Sequence, residues 1–268
     1  MDLDDNCFSQ APSYPDVEYT PTESPYGRYK NMTGALATVK RDIVFAICEW
    51  GVDFPALWAP ALGNTWRIAN DIFGTYATVL RILNQAVPQT SFAAPGQWLD
   101  LDMLEVGNNV YTTLEEQTHF SLWAIIKSPL IIGAALKDTY SSINAASLAI
   151  LKNKDVISYN QDSLGVAASL RRRYTEEGYE VWAGPLSGSR TVAAVINLDD
   201  MARNITLDFP DVGLQKAGGV KDVWNVLGAS DVLTSYTGAV GAHGTFLLEL
   251  NDTTVAGTYA ASDAVISG

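Results

Sequence analysis

The sequence is poor in the residues that hold metal ions. Among its 268 residues there are two cysteines, Cys7 and Cys48, and two histidines, His119 and His243, and these four lack the spacing of a metal-ligand set. Neither histidine stands near the G-x-S-x-G turn of a serine hydrolase, and His119 falls in an apolar helical stretch typical of a core residue. We therefore expect no metal, no cofactor and no Ser-His-Asp chemistry.

Basic residues are also few. The chain has 17 lysines and arginines against 30 aspartates and glutamates, which gives a net charge of −13 and a pI of about 4.4. A surface this acidic repels phosphate backbones, so we expect no nucleic-acid partner, whereas a neutral ligand such as a sugar is compatible with it. No stretch reaches the roughly 18 apolar residues that a membrane-spanning helix needs, so no membrane partner is expected either.

The first residues lack the basic and then apolar pattern of a secretion signal. Three N-glycosylation sequons nevertheless occur, beginning at Asn31, Asn204 and Asn251. Sequons without a leader fit a secreted protein whose beginning is missing. We therefore expect an extracellular glycoprotein and a chain that is incomplete at its start.

Apolar strand-like runs alternate with helical patterns through the first part of the chain. The apolar runs predict strands over 43–48, 98–104 and 129–133. The three-to-four-residue spacing of apolar side chains predicts helices over 27–40, 73–87, 114–127 and 143–152. This alternation predicts parallel strands joined by right-handed crossovers, which could close as a (β/α)8 barrel or remain an open sheet.

The pattern changes near Gly165, where long helical periodicity stops. Strand-like runs separated by turn residues follow, over 180–183, 191–197, 204–208, 220–224 and 244–250. They predict a separate antiparallel β-sandwich. We place the boundary at about residue 168, so that residues 1–167 form part of a barrel and residues 168–268 form the sandwich.

Acidic residues stand where the predicted parallel strands end, which is where barrel enzymes keep their chemistry. They are Asp5, Glu49, Asp71 and Asp102. Any one of them could simply cap the following helix. Tryptophans lie close to the last three in the sequence, however, and Arg67 precedes Asp71 by four residues. Because two carboxylates facing one sugar are the minimum machinery for cutting a glycosidic bond, these strand ends indicate a carbohydrate site.

At this point the sequence resembles the secreted α-galactosidases of glycoside hydrolase family 27, particularly those of fungi. The matching segments are Asp5-Asn6-Cys7, Cys48-Glu49-Trp50-Gly51, Gly63 to Arg67 with Asp71-Ile72, Trp98 to Asn108, Lys127 to Leu130, and Asn160 to Gly165. The resemblance runs from about residue 3 to the C-terminus and is weaker in the predicted sandwich. It implies a (β/α)8 barrel followed by an antiparallel β-sandwich.

The resemblance also implies an activity and a set of site residues. Terminal α-D-galactosyl groups of oligosaccharides or galactomannans would be hydrolysed with retention, through a covalent glycosyl-enzyme. Asp5 would be the nucleophile and Asp71 the acid and base. The substrate contacts would come from Cys48, Glu49, Trp50, Arg67, Asp102 and Met103. Glu49 stands where relatives that accept an acetamide carry a small residue, which favours galactose over N-acetylgalactosamine.

The chain departs from the family pattern near its start. Leu3 stands where the family has a sugar-binding lysine, and Asp4 stands where it has an aromatic residue. About five of the eight strand-helix units of a barrel are present, and the expected disulfide partner of Cys7 is not among them. We therefore expect a truncated member of the family.

Three other interpretations stay open. The chain could be an impaired carbohydrate-binding remnant of the same family, an α-N-acetylgalactosaminidase, or a plain α/β domain whose acids cap helices. The sequence leaves the oligomeric state and the natural leaving group undecided.

Overall fold

The computed structural model describes residues 2–4, 24–136, 143–225, 227–229 and 232–255. The chain divides into two compact units, Met1–Ser169 and Leu170–Gly268. The first is built on a parallel sheet with helices, and the second consists of antiparallel sheets. Among the described residues, no helix combines the length and the apolar composition needed to cross a bilayer.

The parallel sheet of the first unit has four short strands in sequential order. They are β1 (Asp2–Asp4), β2 (Ala46–Cys48), β3 (Thr65–Arg67) and β4 (Trp98–Asp100). Asp4 pairs with Cys48, and Arg67 pairs with Asp100, so the carboxyl ends of the strands meet at one edge of the sheet. Neighbouring parallel strands in chain order are the arrangement found in the wall of a barrel.

Five helices accompany these strands in the described part of the first unit. They are α1 (Tyr26–Ala37), α2 (Tyr76–Ala86), α3 (Thr113–Ile125), α4 (Ala145–Leu151) and α5 (Lys154–Asn160). Two short 3-10 turns, Pro55–Leu57 and Ala59–Ala61, lie between β2 and β3. Helix α2 buries one side, with Val79, Ile82 and Leu83 at most 2% exposed, as its apolar spacing predicts.

Several boundaries differ from those predicted from the sequence. The strand predicted over 129–133 is reduced to one parallel bridge between Leu104 and Ile132. Strand β4 ends at Asp100, because Asp102 has a φ of +81° and a left-handed residue cannot continue a strand. Helix α5 was not predicted. It begins at Lys154 and is capped by Asn153, whose side chain accepts hydrogen bonds from the N–H groups of Asp155 and Val156.

The second unit is antiparallel throughout its described strands. They are β5 (Ser169–Tyr174), β6 (Tyr179–Leu186), β7 (Arg190–Asn197), β8 (Arg203–Asp208), β9 (Leu214–Lys216), β10 (Gly219–Asp222), β11 (Leu227–Ala229), β12 (Ser235–Val240), β13 (Thr245–Asn251) and β14 (Thr254–Val255). Six of them form one sheet in the order β11-β10-β13-β7-β6-β5, while β12 pairs with β8 and β14 pairs with β9.

The core of the second unit comes from alternate residues of these strands. In β8, Ile205 and Leu207 are buried while Asn204 and Thr206 are exposed. The buried set packs with Phe209, Phe246 and the apolar residues of β6, β7 and β13. This alternation is the sandwich pattern, with one face of the strand in the core and the other in water.

Candidate active site

Arg67 is the centre of a polar cluster at the carboxyl edge of the parallel sheet. Its Nη2 atom donates to Asp71 Oδ1 at 2.8 Å and to Asp102 Oδ2 at 2.7 Å. The same nitrogen lies 3.3 Å from the carbonyl oxygen of Ala69, and Nη1 lies 3.9 Å from the sulfur of Cys48. The side chain of Arg67 is only 10% exposed, so these charge-assisted bonds form largely out of water. One guanidinium therefore brings together three residues predicted for the site.

Asp102 is the most fully engaged of the carboxylates. Its Oδ2 also accepts the backbone N–H of Ile72 at 2.6 Å, and its Oδ1 accepts the N–H of Met103 at 2.7 Å. Its own N–H donates to Asp100 Oδ1 at 2.8 Å. The left-handed backbone of this non-glycine residue costs about 1–3 kcal/mol, so the surrounding contacts have to hold it. The carboxylate is thus fixed in direction.

Asp71 is the exposed partner of Arg67. Its side chain is 42% exposed, against 11% for that of Asp102, so water and a ligand can reach it. Its backbone carbonyl accepts a 2.9 Å hydrogen bond from Arg81 of helix α2, and Arg81 also reaches the carbonyl of Asn70 at 3.2 Å. Asp71 therefore presents a reachable carboxylate on a loop that is held by a neighbouring helix.

The end of β2 contributes a compact wall. Cys48 and Glu49 are buried, and the carbonyl of Cys48 accepts a 2.8 Å hydrogen bond from the hydroxyl of Tyr29. Trp50 is partly buried and has a φ of +51°. The next residue has to be glycine, because a Cβ at Gly51 would lie 2.2 Å from the carbonyl oxygen of Ile68. The strand end therefore turns sharply just after Cys48, whose sulfur lies 3.9 Å from Arg67 Nη1.

Met103 and Asp5 are two further predicted site residues. Met103 lies next to Asp102 and is 43% exposed. Asp5 follows β1 in the sequence but lies outside the described residues, and so does Cys7. The role of Asp5 and the disulfide expected for Cys7 stay predictions.

The electrostatics of the cluster follow from burial and charge. Burial raises the pKa of Asp102 above its usual range, and Arg67 with the N–H groups of Ile72 and Met103 offsets only part of that rise. For Arg67, burial alone would lower the pKa, but Asp102 and its other neighbours raise it above the ordinary value. The guanidinium therefore stays charged, and it favours the ionised form of Asp102.

Reasoning from the sequence did not assign a site role to several residues that the structure places around this cluster. Asp100 accepts the N–H of Asp102, Trp123 donates to the carbonyl of Asp102 at 2.8 Å, and Arg81 holds the Asp71 loop. The Asp100-Leu101-Asp102 spacing was the available signal for Asp100. Trp123 and Arg81 lie within helices, where their periodic positions gave no sign of a polar role.

Two further observations bear on where chemistry could occur. Among the described residues, no group of three or more histidine, cysteine, aspartate or glutamate side chains could hold a metal ion. A cavity of about 500 Å³, lined by Trp98, Lys127, Asn160 and neighbouring residues, lies at the amino end of β4. Barrel enzymes carry their active sites at the carboxyl ends of the strands, so the Arg67 cluster is the better candidate.

Comparison with known protein families gives two matches along the chain. A family described as "Alpha galactosidase A" matches residues 16–162, and one described as "Alpha galactosidase C-terminal beta sandwich domain" matches residues 176–250. The first match includes every predicted site residue except Asp5.

Curated relatives and solved structures agree with these matches. The chain is 64% identical over 95% of its length to "Probable alpha-galactosidase D" of Aspergillus niger, and 56% identical over 96% to "Alpha-galactosidase D" of Emericella nidulans. It spans about 39% of the length of these relatives. The crystal structure of α-galactosidase I from Mortierella vinacea superposes with a TM-score of 0.80 at 29% identity, over 87% of this chain and 64% of that one.

A second solved structure carries a sugar. The structure of α-galactosidase from Saccharomyces cerevisiae with raffinose superposes with a TM-score of 0.76 at 25% identity. The match covers 84% of this chain and 68% of the yeast chain. The similarity therefore extends over both the parallel-sheet unit and the antiparallel unit.

Proposed function

The chain belongs to the α-galactosidase A family, and from that membership we propose that it acts in the retaining hydrolysis of terminal α-D-galactosyl groups. The observation that carries the proposal is the Arg67 cluster, which joins Asp71 and Asp102 at the carboxyl edge of a parallel sheet. A buried cation between a reachable carboxylate and a fixed one offers a charged group for sugar hydroxyls and a group for proton transfer.

The proposed reaction has two displacement steps. The carboxylate of Asp5 forms a bond to the anomeric carbon while the bond to the leaving oxygen breaks, and Asp71 gives its proton to that oxygen. Asp71 then takes a proton from water, the water oxygen bonds to the anomeric carbon, and the bond to Asp5 breaks. Arg67 and Asp102 hold galactose hydroxyls during both steps, and Cys48, Glu49, Trp50 and Met103 form the wall around the sugar.

The proposal is tested on 4-nitrophenyl α-D-galactoside with the 268-residue chain and its Asp71→Asn variant. Loss of the acid and base should slow turnover by roughly 10²–10⁴-fold. Added azide should restore much of the rate and yield α-galactosyl azide, because an anionic nucleophile needs no base. Asp42→Asn, at an exposed position outside the cluster, serves as the matched control and should keep full turnover.

Two outcomes would change the assignment. Full turnover by Asp71→Asn would remove Asp71 from the proposed role. If the unmodified chain binds galactose without hydrolysing the substrate, it is a carbohydrate-binding protein rather than an enzyme. Rates on the α-N-acetylgalactosaminide decide the sugar, and we expect galactose to be preferred, because Glu49 is buried at this wall and leaves less room for an acetamide.

We further propose that the protein is secreted and carries a glycan at Asn204. This side chain is exposed on β8, and Thr206 of its sequon is exposed on the same face. In the sequon of Asn31 the Thr33 hydroxyl is bonded to the carbonyls of Tyr29 and Leu62 inside the fold, whereas the Thr206 hydroxyl bonds the hydroxyl of Thr237 at the surface, at 2.8 Å. The intact mass of protein secreted behind an added leader, compared with that of Asn204→Gln, should differ by one glycan.

A further inference from the structure

One face of helix α3 is bonded to the loop that follows β4. Glu116, His119 and Trp123 are spaced by three and four residues, so they lie on the same side of the helix. All three are at most 2% exposed. Polar side chains this deeply buried in a helix require partners. Each of the three bonds a backbone atom of residues 102–107, and Glu116 Oε2 also accepts the hydroxyl of Ser147 at 2.6 Å, while His119 Nδ1 has no partner among the described residues. We call these three residues the loop-holding face.

The bonds run in order along the helix and the loop. The Trp123 indole N–H donates to the carbonyl of Asp102 at 2.8 Å. His119 Nε2 accepts the N–H of Glu105 at 3.1 Å, and Glu116 Oε1 accepts the N–H of Gly107 at 2.8 Å. These three bonds form rungs between the helix and the loop. They add to the strand bridge at Leu104, whose N–H donates to the carbonyl of Ile131 at 2.7 Å.

Of the three bonds, the one from Trp123 to the carbonyl of Asp102 involves a residue of the candidate site. Asp102 has a left-handed backbone, and its bonds to Asp100 and Met103 come from within its own segment. The carbonyl of Asp102, by contrast, is held by a residue 21 positions further along the chain. A strained conformation persists only when its surroundings over-determine it. The indole of Trp123 supplies such a constraint at the carbonyl of Asp102, while Arg67 bonds the carboxylate of the same residue.

His119 supports Trp123 in turn. The two rings contact edge to face, with 4.1 Å between their centroids. Since Nε2 accepts a backbone N–H, a neutral imidazole here carries its proton on Nδ1. Burial lowers the pKa of His119 to about 3, so the ring remains neutral near pH 7. A neutral, fully buried ring gives the indole a fixed partner.

We propose that the loop-holding face of α3, and Trp123 in particular, positions Asp102 for its contact with the galactose hydroxyl. The inference rests on the proposed function, in which Asp102 binds the sugar. Trp123 itself does not touch the substrate. It is a positioning residue, because it fixes the carbonyl of Asp102 and thereby the direction of the carboxylate.

The test replaces Trp123 by Phe, which removes the N–H and keeps an aromatic ring. Trp182→Phe is the matched control, because Trp182 is also fully buried and donates its Nε1–H to Glu180 at 2.9 Å in the other unit. Trp123→Phe should raise KM for 4-nitrophenyl α-D-galactoside by about fivefold, the effect of one ordinary hydrogen bond. Its kcat should stay within about twofold, and Trp182→Phe should change neither constant.

The split between KM and kcat separates positioning from folding. A merely structural role would lower the fraction of folded enzyme, which reduces the apparent kcat and leaves KM unchanged. That pattern, or an unchanged KM in Trp123→Phe, would overturn the proposal. Amide hydrogen exchange of residues 102–107 without sugar gives a second readout, and we expect faster exchange in Trp123→Phe than in Trp182→Phe.

The hydrogen-exchange measurement distinguishes failure of the proposed function from failure of the loop-holding proposal. If the unmodified chain shows no turnover and no galactose binding, the proposed function fails, and equal exchange in both variants then rejects the loop-holding face as well. If Trp123→Phe does not fold, Glu116→Gln and Glu116→Leu take its place. Glutamine keeps an acceptor for the N–H of Gly107 and should preserve KM, whereas leucine should raise it, and equal KM values would contradict the proposal.

Discussion

Among single residues, Arg67 is the buried cation that two site carboxylates share. One of its nitrogens is shared by Asp71 and Asp102, and both Arg67 and Asp102 are about nine-tenths buried. Removing one partner of such a pair leaves the other charge buried without compensation. The intact ion pairs therefore contribute little to the free energy of unfolding, whereas loss of one partner lowers it substantially. This balance is typical of charged residues that are retained for function.

This leads to a prediction on Arg67→Met. The substitution should lower the free energy of unfolding by about 3–5 kcal/mol, because the Asp102 carboxylate stays buried. The double variant Arg67→Met with Asp102→Asn should recover part of that loss, since no buried charge is left. Urea unfolding of the two single variants and the double variant gives the coupling energy. Strictly additive losses would show that the two side chains do not depend on each other.

His119 provides a prediction on pH dependence. Its pKa in the folded chain is lowered by burial to about 3, below the ordinary value of 6.5, so the unfolded chain binds the extra proton first as pH falls. The stabilising contribution is complete above pH 6.5 and is lost progressively as pH falls towards 3. The total loss should reach several kcal/mol.

The measurement is urea unfolding between pH 7 and pH 4. His119→Gln keeps an acceptor for Glu105 but cannot take up a proton, so its stability should fall less steeply with pH than that of the unmodified chain. His243→Gln, in the other unit, is the control, because these are the only two histidines in the sequence. Equal slopes for the unmodified chain and His119→Gln would refute the prediction.

Among the helices, α3 has the most complete start signal. The Thr112 side chain accepts the N–H of Glu115, and the Glu115 carboxylate accepts the N–H of Thr112 at 2.8 Å. This capping box satisfies two backbone donors that the first helical turn would otherwise leave open. Because α3 also carries the loop-holding face, the stability of its first turn also affects the loop after β4.

We expect Thr112→Ala to lower the free energy of unfolding by about 1 kcal/mol. Thr112→Ser keeps the accepting oxygen and should cost much less, which makes it the matched control. Thermal and urea unfolding of the two variants give the comparison. A loss of the same size in both would mean that the methyl group of Thr112, rather than its oxygen, stabilises the helix start.

The elements that were predicted well are those with a strong periodic signal. Helix α2 was expected over 73–87 and spans Tyr76–Ala86, and helix α3 was expected over 114–127 and spans Thr113–Ile125. Strand β5 was missed, because the run Arg171-Arg172-Arg173 at the edge of its sheet carries no apolar alternation. Helix α5 was missed because three of its seven residues are apolar or aromatic, whereas the equally short α4 is almost wholly apolar and was predicted within 143–152.

The candidate site was only partly accessible from the sequence. The acidic residues at the strand ends could be found, because an apolar run followed by an acidic residue near a tryptophan is recognisable in the amino-acid sequence. The left-handed conformation of Asp102 could not, since it depends on Trp123 and Ile72, which are distant in the chain. The shared nitrogen of Arg67 likewise depends on the register of β3 and β4.

At the scale of the whole molecule, the fold class predicted from the sequence is confirmed. The parallel-sheet unit and the antiparallel unit match the two family descriptions in order, and solved α-galactosidase structures superpose on the chain. Within the first unit one border of the sheet is apolar. Met103, Ile131 and Ile132 are between 39% and 50% exposed there, and we call them the apolar border.

The apolar border predicts self-association. In the described residues, the segment around Ile132 has one strand contact, the bridge to Leu104, and an open sheet edge with exposed apolar residues pairs readily with another chain. Ile131→Lys should reduce the concentration-dependent association seen by sedimentation velocity. Leu57→Lys is the control, because Leu57 is 70% exposed in a 3-10 turn away from the sheet edge. Equal association in both variants would contradict the prediction.

The hydrogen bonds between α3 and the loop after β4 also affect which residues could change substrate preference under the proposed function. Side chains of α3 bond backbone atoms of that loop. Substitution of a solvent-facing side chain of the loop should therefore leave the loop backbone in place. Met103 is such a residue, since its own N–H is bonded to Asp102 and it is 43% exposed. Under the proposed function, exchange of this methionine would change the shape and polarity offered to the sugar while Arg67 keeps its bonds to Asp71 and Asp102.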